Sequence, residues 1–119
     1  MARAFLALAL VLLSACATPV SLPELLAEQA TTARIIRVEG YVSLDFEGTQ
    51  IYASRASCEA SEGDRLWLNV SPSYRPPNWE RCALYEVTGA YSPEETGHFG
   101  MTPQGGLVGI SHIRRIRAF

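Results

Sequence analysis

The sequence predicts a mainly β domain, organised as a small five-stranded Greek-key barrel with a short N-terminal helix. Residues 36–46 alternate between apolar and polar side chains over roughly twice the length of an ordinary strand. Four shorter strand patterns follow, separated by segments that contain glycine and proline. A chain of 119 residues has the length of one domain with a modest core. An open β-sandwich or roll with the same strands is the alternative architecture.

The first residues do not belong to that domain. Among residues 1–15, 13 are apolar and only Arg3 is charged. The unbroken apolar run Ala4–Leu13 has the length of a signal-peptide core, which is about half of what a membrane-spanning helix needs. Residues 1–15 are therefore predicted to be a signal peptide that is removed from the mature protein.

The apolar run ends in the tetrapeptide Leu-Ser-Ala-Cys at positions 13–16, which resembles the bacterial lipobox in all four positions. The resemblance implies cleavage before Cys16, a diacylglycerol on its sulfur and an acyl chain on the new amine. Several acyl chains make a durable membrane anchor, and residues 16–20 would then be a lipidated tether. By resemblance to Gram-negative lipoproteins, Ala17 favours the outer membrane, with the domain facing the periplasm. A plain secretion signal followed by an unrelated cysteine is the alternative.

Two cysteines, Cys58 and Cys82, remain once the lipobox has taken Cys16. An exported protein lies in a compartment that permits disulfides, so we predict that these two residues form one. In the chain-entropy model this bridge is worth about 3.5 kcal/mol, a large share of the stability of so small a domain. A two-cysteine metal site and a redox pair are the alternatives. They fit less well because the chain has no CxxC motif and its two histidines lie well downstream.

The predicted domain, residues 21–119, begins with a short helix. Ser21 and Glu24 have the spacing of a capping box, in which a hydroxyl caps the helix and a carboxylate follows three residues later. One apolar stripe runs along the segment, formed by Leu22, Leu25 and Leu26. Because Leu22–Gln29 is too short to be helical alone, we expect it to dock on the barrel.

The first barrel strand contains Gly40 near its centre. A glycine inside a long alternating strand predicts a bulge or a sharp bend, which lets one strand serve two sheets of a small barrel. The other predicted strands are Gln50–Ser54, Arg65–Val70, Ala83–Tyr91 and Leu107–Ile113. The connections Ala56–Asp64, Ser71–Arg81 and Pro93–Gly106 are predicted to be loops. In the last strand the parity breaks, which predicts a bulge or a short turn, because isoleucines recur every third residue at Ile110, Ile113 and Ile116.

A long bent first strand and an irregular connection between the third and fourth strands are typical of an OB-like barrel. The strand and turn sequences also resemble small uncharacterised bacterial envelope proteins with an OB-like fold and a short leading helix. The resemblance covers about residues 21–116. It rests on IRVEGYVSL from Ile36, the strand around Trp67, EVTG from Glu86, Gly97-His98 and GLVGI from Gly106. These relatives imply no established activity.

The composition argues against nucleic acid as a partner. The chain has ten arginines, no lysine and twelve acidic residues, and removal of the leader takes Arg3 away and leaves a net charge of about −3. A mildly acidic exported domain lacks the basic surface that nucleic acid requires. We also predict no cofactor, because the sequence has neither a phosphate-binding glycine motif nor a recognisable nucleophile setting.

The loop segment Gly97–Gly100 holds His98 and Phe99 between two glycines. His98 with Glu94 or Glu95 would suit a metal ion or a general base. A metal site usually needs three or four ligands, however, and the chain has only one other histidine. The alternative is a tight turn in which His98 makes a hydrogen bond to the loop backbone.

That other histidine, His112, shares its strand parity with Val108 and Ile110, which predicts a half-buried residue of the barrel. Three arginines follow it and make a basic C-terminus: Arg114, Arg115 and Arg117. They would suit lipid phosphate or a partner protein, and a solvated edge is the alternative.

Three aromatic residues lie on the predicted outward parity of the first three strands: Tyr41, Tyr52 and Trp67. The face around the second and third strands is where OB folds bind oligonucleotides or oligosaccharides, and aromatic rings there would stack on sugars or pack against a partner. The alternative is that these rings cover the barrel or contact the docked helix.

Taken together, these features predict a non-enzymatic outer-membrane lipoprotein that serves as a binding or interaction module of the cell envelope. Its partners would be the membrane, through the lipid on Cys16, and an envelope protein or a glycan. One alternative is a small envelope enzyme or metal-dependent factor centred on His98. The other is a glycan-binding module that uses Tyr41, Tyr52 and Trp67.

Overall fold

The computed structural model of the protein describes residues 18–28, 34–45, 48–71, 73–97 and 104–116. In chain order they form β1 (Val20–Ser21), α1 (Leu22–Ala27), β2 (Arg34–Asp45), β3 (Gly48–Tyr52), α2 (Arg55–Ala60), β4 (Arg65–Leu68), β5 (Leu84–Ser92) and β6 (Gly106–Arg115). The five long strands match the predicted ones to within two residues at each end. In the part of the chain that is described, no helix is long and apolar enough to cross a membrane.

Strands β2 to β6 close into a mixed barrel. The sheet order is β2-β3-β4-β6-β5, and β5 pairs back onto β2. The β4–β6 pair is parallel, and the other four pairs are antiparallel. The predicted OB-like five-stranded barrel is therefore confirmed. The short strand β1 lies outside it and runs parallel to β2.

The long strand β2 belongs to both halves of the barrel. Its first part, from Arg34 to Tyr41, pairs with β5, and its last part, from Tyr41 to Asp45, pairs with β3. The change of partner comes directly after Gly40, where a Cβ atom would lie 2.6 Å from the Ile51 side chain. Close approach of the next strand thus requires glycine at this position. The prediction that one long strand serves both halves of the barrel is confirmed.

The inward side chains of the barrel strands fill its interior, together with two leucines of α1. Ser21 caps α1 by accepting a hydrogen bond from the backbone N–H of Glu24 at 3.2 Å, as the capping spacing predicted. Leu22 and Leu25 are fully buried in the core, where each contributes about 2 kcal/mol. The six-residue helix is therefore held by docking and not by its own propensity.

Two segments differ from the prediction. Residues 16–20 were expected to be a tether, but Val20 pairs with Val38 on β2, so the end of this segment is part of the sheet. The segment before β4 was expected to be a polar loop and instead forms α2. Ser54 caps α2 by accepting from the Ser57 N–H at 3.1 Å, and the helix ends at Ser61 with a left-handed backbone. Six residues with one buried side chain are too few for a visible helical stripe, so the pattern did not reveal this helix.

A bulge interrupts β6, as the broken parity predicted. The register with β5 shifts between Thr88 and Ala90, so that β6 has extra residues opposite Gly89. Gly109 adopts a φ of 56°, in the left-handed region that favours glycine. The bulge re-aims the last part of β6, which carries His112 and the arginines that follow it.

Candidate functional site

The disulfide between Cys58 and Cys82 determines which surfaces of the barrel are covered. It joins α2 to the chain just before β5, with 5.6 Å between the two Cα atoms, and this confirms the predicted bridge. The Cys82 N–H donates to the Val42 carbonyl at 2.9 Å, which fixes the bridge against β2. Helix α2 consequently lies against the outer side of the β2–β3 pair.

The bridge and α2 cover part of the aromatic face that the sequence predicted. Tyr52 is only 3% exposed, packs in one cluster with both cysteines, and donates from its hydroxyl to Oε1 of Gln50 at 2.5 Å. The prediction that its ring is available to a ligand is therefore wrong, because a helix that the pattern did not reveal covers it. Tyr41 packs against the same cluster and is half-buried.

Trp67 is also half-buried, on β4. It pairs with Gln50 on β3, whose partner on β2 is Ser43, so its ring lies on the same outer face as Tyr41. A glycan surface would thus have to use Tyr41 and Trp67 without Tyr52, and it stays a prediction.

The outer face of β2, β5 and β6 has a different character, which we call the arginine face. Side chains that lie opposite each other on antiparallel strands share a face, so the register defines three rows across these strands. The rows are Ile35–Ala90–Val108, then Arg37–Thr88–His112, then Glu39–Glu86–Arg114. The face is apolar at one end and becomes charged along the strands.

Glu86 is the centre of the arginine face. Its side chain is 9% exposed, and its carboxylate accepts hydrogen bonds from two guanidinium groups. Arg37 donates from Nη2 at 2.9 Å and from Nε at 3.3 Å to Oε1, and Arg114 donates from Nη2 at 3.3 Å to Oε2. A carboxylate so nearly buried needs such partners, because desolvation without them would cost several kcal/mol.

The two arginines differ in what they can do. Arg37 is the more buried of the two, and its guanidinium holds one oxygen of Glu86 through two nitrogens. Arg114 is 67% exposed and makes one longer contact, so this part of the ion pair is strongly screened by water. Of the two guanidinium groups, that of Arg114 is therefore the more accessible to a further acceptor.

Two open cavities adjoin this network and meet at His112. One, of about 360 Å³, is lined by Arg37, Glu86, Thr88, His112 and Arg114. The other, of about 290 Å³, lies between the Ile110–Ile113 part of β6 and a set of residues that follow β4: Asn69, Val70, Ser71 and Tyr74. Both volumes are near the lower end of the range for small-ligand sites, and His112 lines both cavities. The surface formed by the two cavities along β6 is the candidate site. We call it the β6 cleft.

His112 is exposed, so the prediction of a half-buried barrel residue is wrong. After the bulge, its register with Thr88 directs the ring away from the core, and Nδ1 lies 3.2 Å from the Ser111 hydroxyl. His112 lies in the cleft because β6 pairs with β5 in this register. The sequence does show polar or charged residues at alternate positions of the three strands, but it does not show that these strands are neighbours.

The remaining predicted site residues lie outside the described part of the chain. This applies to Cys16, the lipidation site, and to His98 in the long loop before β6. Within the described residues, no group of three or more His, Cys, Asp or Glu side chains is arranged to hold a metal ion. Comparison of the chain with protein-family models, with curated proteins and with solved structures finds no match.

Proposed function

We propose that this protein is an outer-membrane lipoprotein, anchored through Cys16 and facing the periplasm, that works as a non-enzymatic binding module. The β6 cleft is its binding surface. The ligand is an envelope component, either a protein or a glycan, that presents a carboxylate or phosphate group to Arg114.

The cysteines support the proposed location. Cys58 and Cys82 pair with each other, which leaves Cys16 as the one cysteine without a partner in the sequence. Structural disulfides persist in oxidising compartments such as the periplasm. An exported domain with one spare cysteine directly after a signal-peptide core is what the lipobox resemblance requires.

The observation that carries the binding function is the position of Glu86 between two guanidinium groups at the edge of a cavity. Binding sites are typically concave, with a few polar groups that converge on one point. The groups that converge here are the guanidinium of Arg114, the imidazole of His112 and the hydroxyl of Thr88. All three can donate hydrogen bonds, and this is the chemistry that recognises anionic oxygen.

Location and binding are tested separately. Growth with labelled palmitate should label the wild-type protein and leave Cys16→Ala unlabelled, and an unlabelled wild-type protein would overturn the proposed anchor.

For binding, a photo-crosslinking amino acid is placed in living cells at Ser111, which lines the cleft. The matched control carries it at Glu59, which is exposed on α2.

The proposed site predicts a defined adduct at Ser111 that is absent at Glu59. The adduct should also be lost in the Arg114→Ala variant, whose fold is preserved because this side chain is mostly exposed. Adducts that are equal at both positions, or that do not depend on Arg114, would refute the assignment of the cleft.

A further inference from the structure

Strand β1 determines where the N-terminal end of the chain leaves the barrel. Val20 and Ser21 pair with Val38 and Glu39 of β2, and the pairing is parallel. The chain before Val20 therefore runs toward the end of the barrel at which β2 begins. Arg34 and Ile35 lie at that end.

The distance from the barrel to the proposed anchor is short. Cys16 precedes Thr18, the first described residue, by two peptide units. Consecutive Cα atoms are 3.8 Å apart, so the Cα atoms of these two residues are at most about 7 Å from each other. A lipid on Cys16 would thus hold Thr18, just before β1, within the thickness of a headgroup layer, since that layer measures about 5–10 Å.

The surface at this end is the apolar end of the arginine face. Ile35 is 77% exposed and lies at the β2 end of its row, where strand β1 does not reach it. Its row continues across the sheet with Ala90 and Val108, which are partly exposed. The next row, with Arg37 and Thr88, begins two residues further along β2 and β5, at about 7 Å.

We propose that this end of the barrel rests on the bilayer that holds the anchor, with Ile35 at the boundary between acyl chains and headgroups. The row that contains Arg37 then lies at the level of the lipid phosphates, and the β6 cleft opens beside the membrane surface. The proposal rests on the proposed function, because the lipid on Cys16 supplies the tether. Interfacial surfaces in general combine an apolar part that enters the boundary with arginines next to it.

The charges at this end indicate which interaction is dominant. Arg34 forms an ion pair with Glu28 of the α1 C-terminus, so its charge is balanced within the protein. Arg37 is likewise engaged by Glu86. The contact should therefore depend on the apolar row and the short tether more than on anionic lipid.

The test measures how close Ile35 lies to the acyl chains. Full-length lipidated protein is reconstituted into phosphatidylethanolamine–phosphatidylglycerol vesicles with or without brominated acyl chains, which quench tryptophan on contact. The Ile35→Trp variant is compared with Ala56→Trp, an exposed position on α2. The disulfide joins α2 to Cys82, which is hydrogen-bonded to Val42 of β2. Val42 is seven residues from Ile35, so the two positions on β2 are about 23 Å apart. Emission of the unsubstituted protein, from Trp67 and Trp79, is subtracted from both.

The emission that Ile35→Trp adds should fall by about half or more in brominated vesicles, because a side chain at the boundary lies within about 5–10 Å of the quenchers. The emission that Ala56→Trp adds should stay unchanged. Equal behaviour of the two variants would overturn the proposed orientation.

Mass analysis of the N-terminal peptide from the same vesicles separates the two proposals. If Cys16 carries lipid and Ile35→Trp is not quenched, only the orientation fails. If Cys16 carries no lipid and the chain stays in solution, the proposed anchoring fails and the orientation fails with it.

Discussion

Replacing both Cys58 and Cys82 with alanine removes the disulfide that joins α2 to the segment just before β5. The two residues are 24 positions apart, and in the chain-entropy model a loop of this length is worth about 3.5 kcal/mol. The packing of Tyr52 against the two sulfur atoms is lost as well, so we expect a loss of about 3–5 kcal/mol. The total free energy of unfolding of domains of this size is about 5–15 kcal/mol, so the variant should be close to unfolding at about 37 °C.

The assay is urea unfolding, followed by tryptophan fluorescence, of a soluble form that starts at Ala17 and is exported by an ordinary cleavable leader. The urea midpoint should fall strongly. In a separate thermal scan the melting temperature should fall by about 12–40 °C, since each kcal/mol corresponds to about 4–8 °C in a small domain. The matched control is Glu59→Ala on the same helix. Its ion pair with Arg55 is more than half exposed on both sides, so its stability should stay within about 0.5 kcal/mol of the wild type.

A loss below about 1 kcal/mol in the cysteine variant would refute the reasoning. It would mean that the core holds α2 in place without the bridge. An equally large loss of unfolding free energy in Glu59→Ala would also refute it, because the exposed side of α2 would then matter as much as the disulfide.

Three further substitutions test other parts of the structure by the same unfolding assay. Gly40→Ala places a Cβ atom 2.6 Å from the Ile51 side chain and 2.9 Å from a backbone oxygen, so it should cost about 1–3 kcal/mol; an unchanged midpoint would contradict the close approach. Glu86→Gln removes the negative charge that accepts from Arg37 and Arg114 and should cost about 1–3 kcal/mol, whereas a neutral result would mean that water replaces the ion pair. Burial raises the pKa of the Tyr91 hydroxyl, and the nearby Arg34 lowers it to a smaller extent. The unfolded chain therefore loses this proton first, so stability should fall as the pH rises above about 10, and Tyr91→Phe should reduce that fall.

The barrel strands could be predicted because their signal is local. Alternation along β2 gave its length and its inward face, and Gly40 marked the point at which the strand changes partner. Helix α2 could not be predicted in the same way. This helix buries one side chain, Cys58, and it is held by the disulfide to Cys82, which lies 24 positions later in the chain.

The candidate site shows the same division. His112, Glu86 and Arg37 come from three strands, and each looks like an ordinary outward polar residue in its own segment. They become a site because β2 and β6 pair with the two edges of β5 in one particular register. Tyr52 of the predicted aromatic face is buried for a similar reason. The alternation of side chains tells which side of the sheet a residue is on, but it does not tell what covers that side.

The sequence by itself determined the five barrel strands, the glycine at which the first of them changes partner, and the cysteine pairing. Each of these depends on a run of neighbouring residues or on a count, so the linear chain contains the information. The tertiary structure alone decided which face is covered by α2, which three strands form the cleft and where β1 leads the N-terminus out of the barrel. These depend on contacts between residues distant in the chain, and such contacts exist only once the barrel has closed.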